Sequence, residues 1–357
     1  MSTTCTDELP VEVGGDGVAL DLDNRLARDF SLLGVISLAW NCVNVFGGLS
    51  FIFVVGFSAG GLPAIFYGFI GASVCVACMT AVLAECASIF PTAGGAYHFA
   101  TFLVPQKYRS GVGFVLGWIN YLAWTLAAAA CYSILSSLIF AFVFETHPDF
   151  SLSGRYQLFL VYVAVAIVSW AANLFCLSAI PLLGNIGCYG SMATFVAFTI
   201  TLLAVSKKAD PASVFVDVIN ATGYSSNAMA VVLGLYNSMT ALVALDASCH
   251  MAEEIKQPTR MIPKILYITI ALQFLVGVVW ILAIGFSIQD SDAIINSPSG
   301  VPIFELILQG TRSKVAQYIF MVMLTINYIA AAVGCSLTAS RQGYALARDG
   351  GLFLKTR

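Results

Sequence analysis

Long apolar runs separated by short polar and charged segments dominate the hydrophobic pattern of this chain. A helix needs about 20 consecutive apolar residues to cross a bilayer, and runs of that length recur throughout the sequence. The turn and charge positions between the runs predict eight transmembrane helices, called spans one to eight below. We place them at residues 31–56, 63–89, 111–144, 156–177, 183–205, 229–250, 262–287 and 315–338.

Composition supports an all-α polytopic membrane protein. The chain is 59% hydrophobic and only 10% charged, whereas soluble proteins carry about 25% charged residues. No basic tract indicates a nucleic-acid partner. Residues 1–29 are acidic and lack the apolar run of a signal peptide, so we expect a disordered cytosolic tail. The cysteines lie mostly in apolar runs, and the CxxC formed by Cys75 and Cys78 has no supporting ligands; we therefore expect neither a metal nor a cofactor.

The distribution of basic residues sets the expected orientation. Eleven of the sixteen lysines and arginines fall on the side of the N-terminus and five fall on the opposite side. Cytosolic loops carry the excess of basic residues, so the N-terminus is predicted to be cytosolic. The sequon Asn220-Ala221-Thr222 lies between spans five and six, on the predicted outer side, and marks Asn220 as a candidate glycosylation site.

Two spans contain polar and glycine-rich interruptions. Span one includes AWNCVNVFGGLS, Ala39 to Ser50, and span six includes LYNSMTALVALD, Leu235 to Asp246. Corresponding interruptions five helices apart are typical of transporters with inverted repeats, in which broken helices expose backbone groups near the bilayer midplane. The alternative is ordinary helix packing through small and polar residues. We predict facing breaks near Asn44–Gly48 and Ser238–Leu242.

Three motifs carry a resemblance to a known family. They are ECASIFPTAGGAYHFA from Glu85, ALDASCHMAEEIKQPTRMIP from Ala244 and SRQGYALARDGG from Ser340. In this order they resemble the amino acid–polyamine–organocation superfamily and, more narrowly, the fungal permeases for GABA, choline and related amino compounds. The resemblance covers about residues 30–351.

The resemblance implies a fold of two inverted five-helix repeats, usually followed by two more helices. It divides the chain as follows: tail, 1–29; first repeat, 30–205; extracellular loop, 206–228; partial second repeat, 229–340; and cytosolic segment, 341–357. With about eight transmembrane helices, the second repeat is expected to be incomplete. A C-terminally truncated permease is one interpretation, and a truncated, non-transporting membrane sensor or assembly partner is the alternative.

The function implied by the resemblance is secondary active transport of a small amino compound such as an amino acid, GABA or choline. Relatives are mostly proton-coupled symporters or exchangers, so proton coupling is expected. The plasma membrane is the expected location, with the vacuolar membrane as the alternative. An intramembrane enzyme is not expected, because no Ser/His pair, paired aspartates or metal-ligand set has suitable spacing.

In similar transporters the amine and carboxylate of the substrate meet backbone groups of the two broken helices. Carried onto this chain, the substrate-binding positions are Asn41, Asn44, Val45, Phe46, Gly47 and Gly48 in span one, and Ser238, Thr240, Ala241 and Val243 in span six. Polar residues of other apolar runs add Asn120, Tyr121 and Asn327, each of which could equally form a helix–helix hydrogen bond. Phe46 could provide an aromatic wall for an alkylammonium group or simply pack.

Carboxylates near the pathway are candidates for coupling and gating. Asp246 could tether the broken sixth span by accepting hydrogen bonds, or it could meet a substrate ammonium group or a proton. His250 and Glu254 are expected at an interfacial gate, since their HxxEE spacing lacks the HExxH pattern of a zinc helix. Glu85 is a further coupling candidate; the alternative is a pairing with a basic residue of the following loop, Lys107 or Arg109.

Overall fold

The computed structural model describes residues 32–147, 149–150, 154–297 and 299–351. The predictions for the tail at 1–29 and for residues 352–357 lie outside this part of the chain. Within it, eight helices are long and apolar enough to cross a membrane, which confirms the predicted all-α polytopic architecture. The spans are Leu32–Ser58, Gly61–Ile89, Gln106–Thr146, Tyr156–Phe175, Ile180–Val205, Asn227–Glu254, Pro258–Gly285 and Lys314–Arg348.

Span eight differs most from its predicted bounds. The apolar pattern places its end at residue 338, whereas the helix continues to Arg348. The added turns contain Arg341 and Arg348, which form ion pairs with Glu254 and Glu253. Because these charged side chains have ion-pair partners within the protein, the helix can continue beyond its apolar segment.

Burial within the protein places span one at the centre and span four at the periphery. In span one, 72% of the apolar window is buried, against 6% in span four. Span one packs against spans five, seven and eight as well as the second part of span six. An apolar helix left uncovered by protein is suited to contact with lipid tails.

Four short α-helices lie in the connections: Ala96–Leu103, Pro211–Phe215, Ser291–Ile295 and Pro302–Thr311. Local chemistry explains where two of them begin. Asp210 and Asp290 precede them and accept hydrogen bonds from the first backbone amides, as N-cap residues do.

Asn220 anchors the connection between spans five and six. Its Nδ2 donates hydrogen bonds to the carbonyl of Tyr224 at 2.9 Å and to Oδ1 of Asn227 at 3.2 Å, while its Oδ1 accepts from the Thr222 hydroxyl at 2.7 Å. Its backbone forms an isolated bridge with Ala59 at the corner after span one. The nitrogen that a glycan would modify is thus part of the loop's own hydrogen bonding.

Candidate functional site

Span one is broken at Asn44, inside the predicted segment. Its first half ends at Val43, and Asn44 takes a left-handed conformation with φ 47° and ψ 48°. Asparagine tolerates this conformation because its short polar side chain can bond to nearby backbone. Its Oδ1 accepts a hydrogen bond from the Gly47 amide at 3.2 Å and caps the second half of the span. A Cβ at position 47 would lie 2.5 Å from the Asn44 side chain, so glycine leaves room for the cap.

Gln273 of span seven, which the sequence analysis did not single out, bridges this break. Its side chain is fully buried. Oε1 accepts a hydrogen bond from the Val45 amide at 3.2 Å, and Nε2 donates to the carbonyl of Trp40 at 3.3 Å. One side chain therefore satisfies backbone groups on both halves of span one. A glutamine inside an apolar run is costly unless paired, and that signal could have identified it.

Span six changes from an α-helix to a 3₁₀-helix. The α-helix covers Asn227–Thr240 and the 3₁₀-helix Leu245–Glu254, and between them Ala244 is left-handed with φ 70° and ψ 21°. The predicted break at Ser238–Leu242 is confirmed, although it reaches as far as Ala244. An alanine in this conformation costs roughly 1–2 kcal/mol, so contacts of the flanking segments must hold it there.

The two breaks face each other, as predicted. A Cβ at Gly48 would lie 3.6 Å from the Cα of Ala241, which is ordinary van der Waals distance, so this position is adjacent to the sixth-span break. A little further along, a Cβ at Gly56 would lie 2.7 Å from the Cβ of Asn237. Glycine at position 56 therefore permits the close approach of span one to span six.

Asn41 and Ser238 tie the broken spans to neighbouring helices. Nδ2 of Asn41 donates a hydrogen bond to the carbonyl of Gly184 in span five at 2.7 Å. The Ser238 hydroxyl donates to the carbonyl of Ile65 in span two at 3.0 Å. Both are helix–helix bonds of the kind considered as the alternative to substrate binding.

Four other predicted binding residues have different surroundings. The Thr240 hydroxyl donates to a carbonyl of its own helix at 2.7 Å, and Val243 is 54% exposed. Tyr121 packs beside the last turns of span eight, where a Cβ at Gly343 would lie 2.8 Å from its ring. Asn120 is half-buried next to it. Val243 and Tyr121 therefore lie in settings unlike that of the span-one break.

Four buried asparagines have polar atoms without a hydrogen-bond partner among the described residues. In Asn237 and Asn327 these are both the amide nitrogen and the amide oxygen; in Asn41 and Asn44 they are Oδ1 and Nδ2, respectively. Buried polar atoms are usually hydrogen-bonded, so unpaired ones suit the polar groups of a ligand. Spans one, six and eight all contribute to this set.

Phe46 lies inside the protein, not toward lipid. It belongs to a buried aromatic cluster formed by Phe46, Phe195, Trp280 and Phe320, and its ring meets the Trp280 ring edge-on at a centroid distance of 4.8 Å. Trp280 Nε1 donates to the Ser50 hydroxyl at 3.0 Å, and Ser50 donates to the Phe46 carbonyl at 2.7 Å. The cluster therefore encloses the start of the second half of span one.

Asp246 and His250 form a pair in the 3₁₀ segment of span six. Nε2 of His250 lies 3.0 Å from Oδ2 of Asp246, and Nδ1 lies 2.8 Å from the carbonyl oxygen of Ala93 in the loop after span two. Trp124 of span three donates from Nε1 to the same Asp246 oxygen at 3.4 Å. Trp124 was not predicted as a site residue; in the sequence it is one aromatic residue in an apolar helix, with no local sign of this partner.

Gly95 allows the loop after span two to reach His250. Its φ of 58° belongs to the left-handed region that favours glycine. A Cβ there would lie 2.9 Å from Cε1 of the His250 ring. Two of the sequence motifs thus meet at His250, which contacts the Ala93 carbonyl and lies against Gly95.

The third motif, at the end of span eight, contacts the 3₁₀ segment of span six through two ion pairs. Nε of Arg341 lies 2.5 Å from Oε1 of Glu254, and Nη2 of Arg348 lies 2.9 Å from Oε1 of Glu253. Both arginines come from the last turns of span eight. The arrangement fixes the end of span eight to the end of span six.

Asp349, directly after span eight, is bound by the short helix Ala96–Leu103. Its Oδ2 accepts from the Tyr97 hydroxyl and contacts Nε2 of His98, each at 2.6 Å. Burial acts to raise the pKa of Asp349, but the hydrogen bonds from His98 and Tyr97 hold it below its ordinary value. Burial and then the Asp349 carboxylate raise the pKa of Tyr97. The cluster therefore favours an ionised Asp349.

Glu85 stands apart from these groups. It is exposed and lines a surface cleft with Pro263 and Tyr267 of span seven. The two basic residues considered as its partners have other contacts: Arg109 donates to a backbone carbonyl, and Lys107 lies over a tyrosine ring. The structure thus places Glu85 on the surface, pairs Asp246 with His250, and pairs Glu254 of the same segment with Arg341 of span eight.

Comparison with known proteins identifies the family. The family model described as amino acid permease matches residues 30–357. The chain belongs to the amino acid permease family. This membership confirms the superfamily resemblance and the prediction that the protein is not an enzyme.

Named relatives of this amino acid permease include transporters from fungi. It is 29% identical to a choline transporter of Saccharomyces cerevisiae over 94% of this chain and 60% of that protein. It is 27% identical to a putative amino acid/polyamine transporter of Macrophomina phaseolina, over 89% of this chain and 70% of the relative. A swainsonine transporter of Arthroderma benhamiae is also 27% identical, with coverages of 95% and 67%. The permease thus spans about 60% of the length of the choline transporter it matches.

Proposed function

We propose that this permease is a secondary active transporter of a small amino compound, with an amino acid, GABA or choline as the leading substrates. The observation that carries the proposal is the pair of facing breaks in spans one and six, found in a chain of the amino acid permease family. Breaks of this kind direct backbone amides and carbonyls toward a charged substrate within the membrane.

The binding site is proposed at and around these breaks. Asn44 and Asn327 have unpaired amide atoms available to a polar substrate, and Phe46 supplies an aromatic surface. The full set is Asn41, Asn44, Val45, Phe46, Gly47, Gly48, Ser238, Thr240, Ala241, Val243, Asn120, Tyr121 and Asn327. Because Gln273 holds the Val45 amide, a substrate carboxylate that binds this amide has to displace the glutamine side chain.

Coupling and gating are assigned to carboxylates and the histidine beyond the sixth-span break. Asp246, His250 and Glu254 lie in one segment that contacts the second and third spans as well as the eighth. We propose proton coupling, as a symporter or an exchanger. Glu85, near the predicted cytosolic end of span two, is retained as a further coupling candidate that can exchange protons at the surface cleft.

The orientation is proposed from the charge distribution, and the membrane location and repeat organisation are proposed from the family resemblance. We propose a cytosolic N-terminus, a plasma-membrane location with the vacuolar membrane as the alternative, and a first five-helix repeat at 30–205 followed by a second repeat beginning at 229. The matched breaks in spans one and six support the repeat assignment.

Uptake by cells lacking their own permeases tests this proposal. Cells expressing the 357-residue chain should accumulate labelled choline, GABA or a neutral amino acid, and unlabelled substrate should compete. Asn44→Ala removes the cap at the first break and should reduce uptake strongly at equal surface expression. Gly71→Ala is a suitable control, because a Cβ at this exposed helical position meets nothing within 4 Å. Absence of uptake of all three compound classes, with the protein in the membrane, would contradict the proposal.

A further inference from the structure

The contacts of His250 specify where protons must lie. A backbone carbonyl oxygen can only accept hydrogen bonds, so Nδ1 of His250, 2.8 Å from the Ala93 oxygen, carries a hydrogen. Nε2 lies 3.0 Å from Oδ2 of Asp246. If the ring were neutral and the carboxylate ionised, two lone pairs would face each other at this distance. One additional proton must therefore lie between Nε2 and Oδ2.

The surroundings of the pair favour retaining that proton. The His250 side chain is completely buried, and that of Asp246 is 20% exposed. Trp124 donates a second hydrogen bond to the carboxylate oxygen from span three, which favours the ionised aspartate beside a protonated ring. A buried carboxylate needs an opposing charge, and the proton on His250 supplies it.

Other charged or titratable groups near the pair are engaged elsewhere or are neutral thiols. Arg341 and Arg348 of span eight are paired with Glu254 and Glu253. Within the same 3₁₀ segment Cys249 is near Asp246, and Cys86 of span two is near Cys249. The loop contributes the Ala93 carbonyl and the backbone of Gly95. Within the described chain, the ion-pair partner of Asp246 is His250.

We propose that Asp246 and His250 together form a one-proton site and that this proton is the coupling ion, an inference that rests on the transport function proposed above. Release transfers the proton from Nε2 to water and leaves a neutral ring protonated on Nδ1. The Nε2 lone pair then repels the carboxylate, so the contact between the Asp246 and His250 side chains opens within the 3₁₀ segment, while Nδ1 still donates to the Ala93 carbonyl of the loop after span two. Binding of a proton restores the contact.

A second histidine–aspartate pair in the protein provides a matched control. Nε2 of His98 contacts Asp349 at 2.6 Å, but its Nδ1 faces the Thr92 hydroxyl at 2.8 Å. A hydroxyl can donate as well as accept, so a neutral ring with its hydrogen on Nε2 satisfies both contacts. This pair does not require an additional proton.

Asp246→Asn separates a proton site from a structural tether. The asparagine Nδ2, in the place of the wild-type Oδ2, can donate to a neutral His250, so this contact survives without the additional proton. The longer bond of 3.4 Å from Trp124 to the same oxygen is lost. In proteoliposomes containing the full chain and a trapped pH-sensitive dye, choline, GABA or a neutral amino acid should drive proton movement in the wild type. The variant should keep substrate counterflow within a few-fold and lose substrate-linked proton flux by about tenfold or more. His98→Gln should keep the wild-type ratio of proton to substrate flux.

If Asp246→Asn moves as many protons per substrate molecule as the wild type, the proton-site inference is wrong and the transport function stands. The same conclusion follows if the wild type transports substrate without moving protons. If none of these compounds is transported, the proposed function fails, and the proton site is tested directly by ¹⁵N NMR of the three histidines. The signal lost in His250→Gln identifies His250. Near neutral pH the wild-type His250 signal should show that both ring nitrogens are protonated, or that Nε2 shares a proton with Asp246. In Asp246→Asn the His250 signal should be that of a neutral ring. Identical spectra for the two proteins would refute the site.

Discussion

At the scale of single residues, the break in span one depends on a few precise hydrogen bonds. Asn44 caps the second half of the span, and Gln273 pairs with a backbone group on each half. Both side chains are polar in an apolar setting. Each accepts a hydrogen bond from one of the first amides of the second half, Gly47 or Val45, which have no partner in a preceding helical turn.

Gln273→Leu should destabilise the protein. Leucine fills a similar volume but leaves the Val45 amide without its partner, and an unsatisfied buried group costs roughly 1–3 kcal/mol. The Trp40 carbonyl keeps its bond from the Asn44 amide at 2.8 Å. The melting temperature of the purified protein in detergent should fall. Phe274→Leu changes the next residue, which is 40% exposed, and should have a much smaller effect. Equal melting temperatures for Gln273→Leu and the wild type would show that the bridge is not needed.

At the scale of elements, the two broken spans use different devices. Span one is interrupted by a single left-handed residue and resumes as an α-helix, whereas span six continues as a 3₁₀-helix. The 3₁₀ segment is held by Ala93, Trp124 and the ion pairs of span eight. Because these contacts come from other elements, the backbone strain at Ala244 can persist.

Ala244→Gly should raise thermal stability and Ala244→Val should lower it. Glycine adopts a φ of 70° without the Cβ clash, which relieves roughly 1 kcal/mol of strain, partly offset by its greater freedom in the unfolded chain. A β-branched valine makes the clash worse. Ala230→Gly, at a buried position in the α-helical part of span six, is the control. It should lower the free energy of unfolding by about 1 kcal/mol, whereas Ala244→Gly should raise it. A loss of stability in Ala244→Gly as large as in Ala230→Gly would contradict the argument.

At the scale of the whole molecule, the three motifs converge on one end of the bundle. Glu253 and Glu254 pair with arginines of span eight, and Gly95 lies against His250 of span six. Tyr97, two residues after Gly95, donates to Asp349 directly after span eight. Orientation in the membrane is a property of the complete chain, because it depends on the sum of the basic residues on each side.

A topology experiment tests the expected orientation. With Cys5 of the predicted cytosolic tail and the cysteines exposed in the described residues, Cys75, Cys78 and Cys176, first replaced by serine, a single cysteine placed at 220 should react with a membrane-impermeant maleimide in intact cells. A cysteine placed at 256 should react only after permeabilisation. The reverse pattern would mean that the N-terminus is outside.

The sequence by itself determined the class of the protein, the number of spans and the places where two of them break. These features are local: apolar length decides whether a helix can cross a bilayer, and asparagine–glycine interruptions weaken a helix wherever they occur. The three motifs also identified the family without any coordinates.

Only the tertiary structure decided which groups meet. Gln273, Trp124 and the Ala93 carbonyl became site residues through partners far away in the chain, and Tyr97 meets Asp349 across 252 residues. Hydropathy predicts that a polar side chain in a span needs a hydrogen-bond partner, but it does not identify the partner. The same limit applies to Val243, whose exposure depends on how span six rotates against its neighbours and not on its own apolar character.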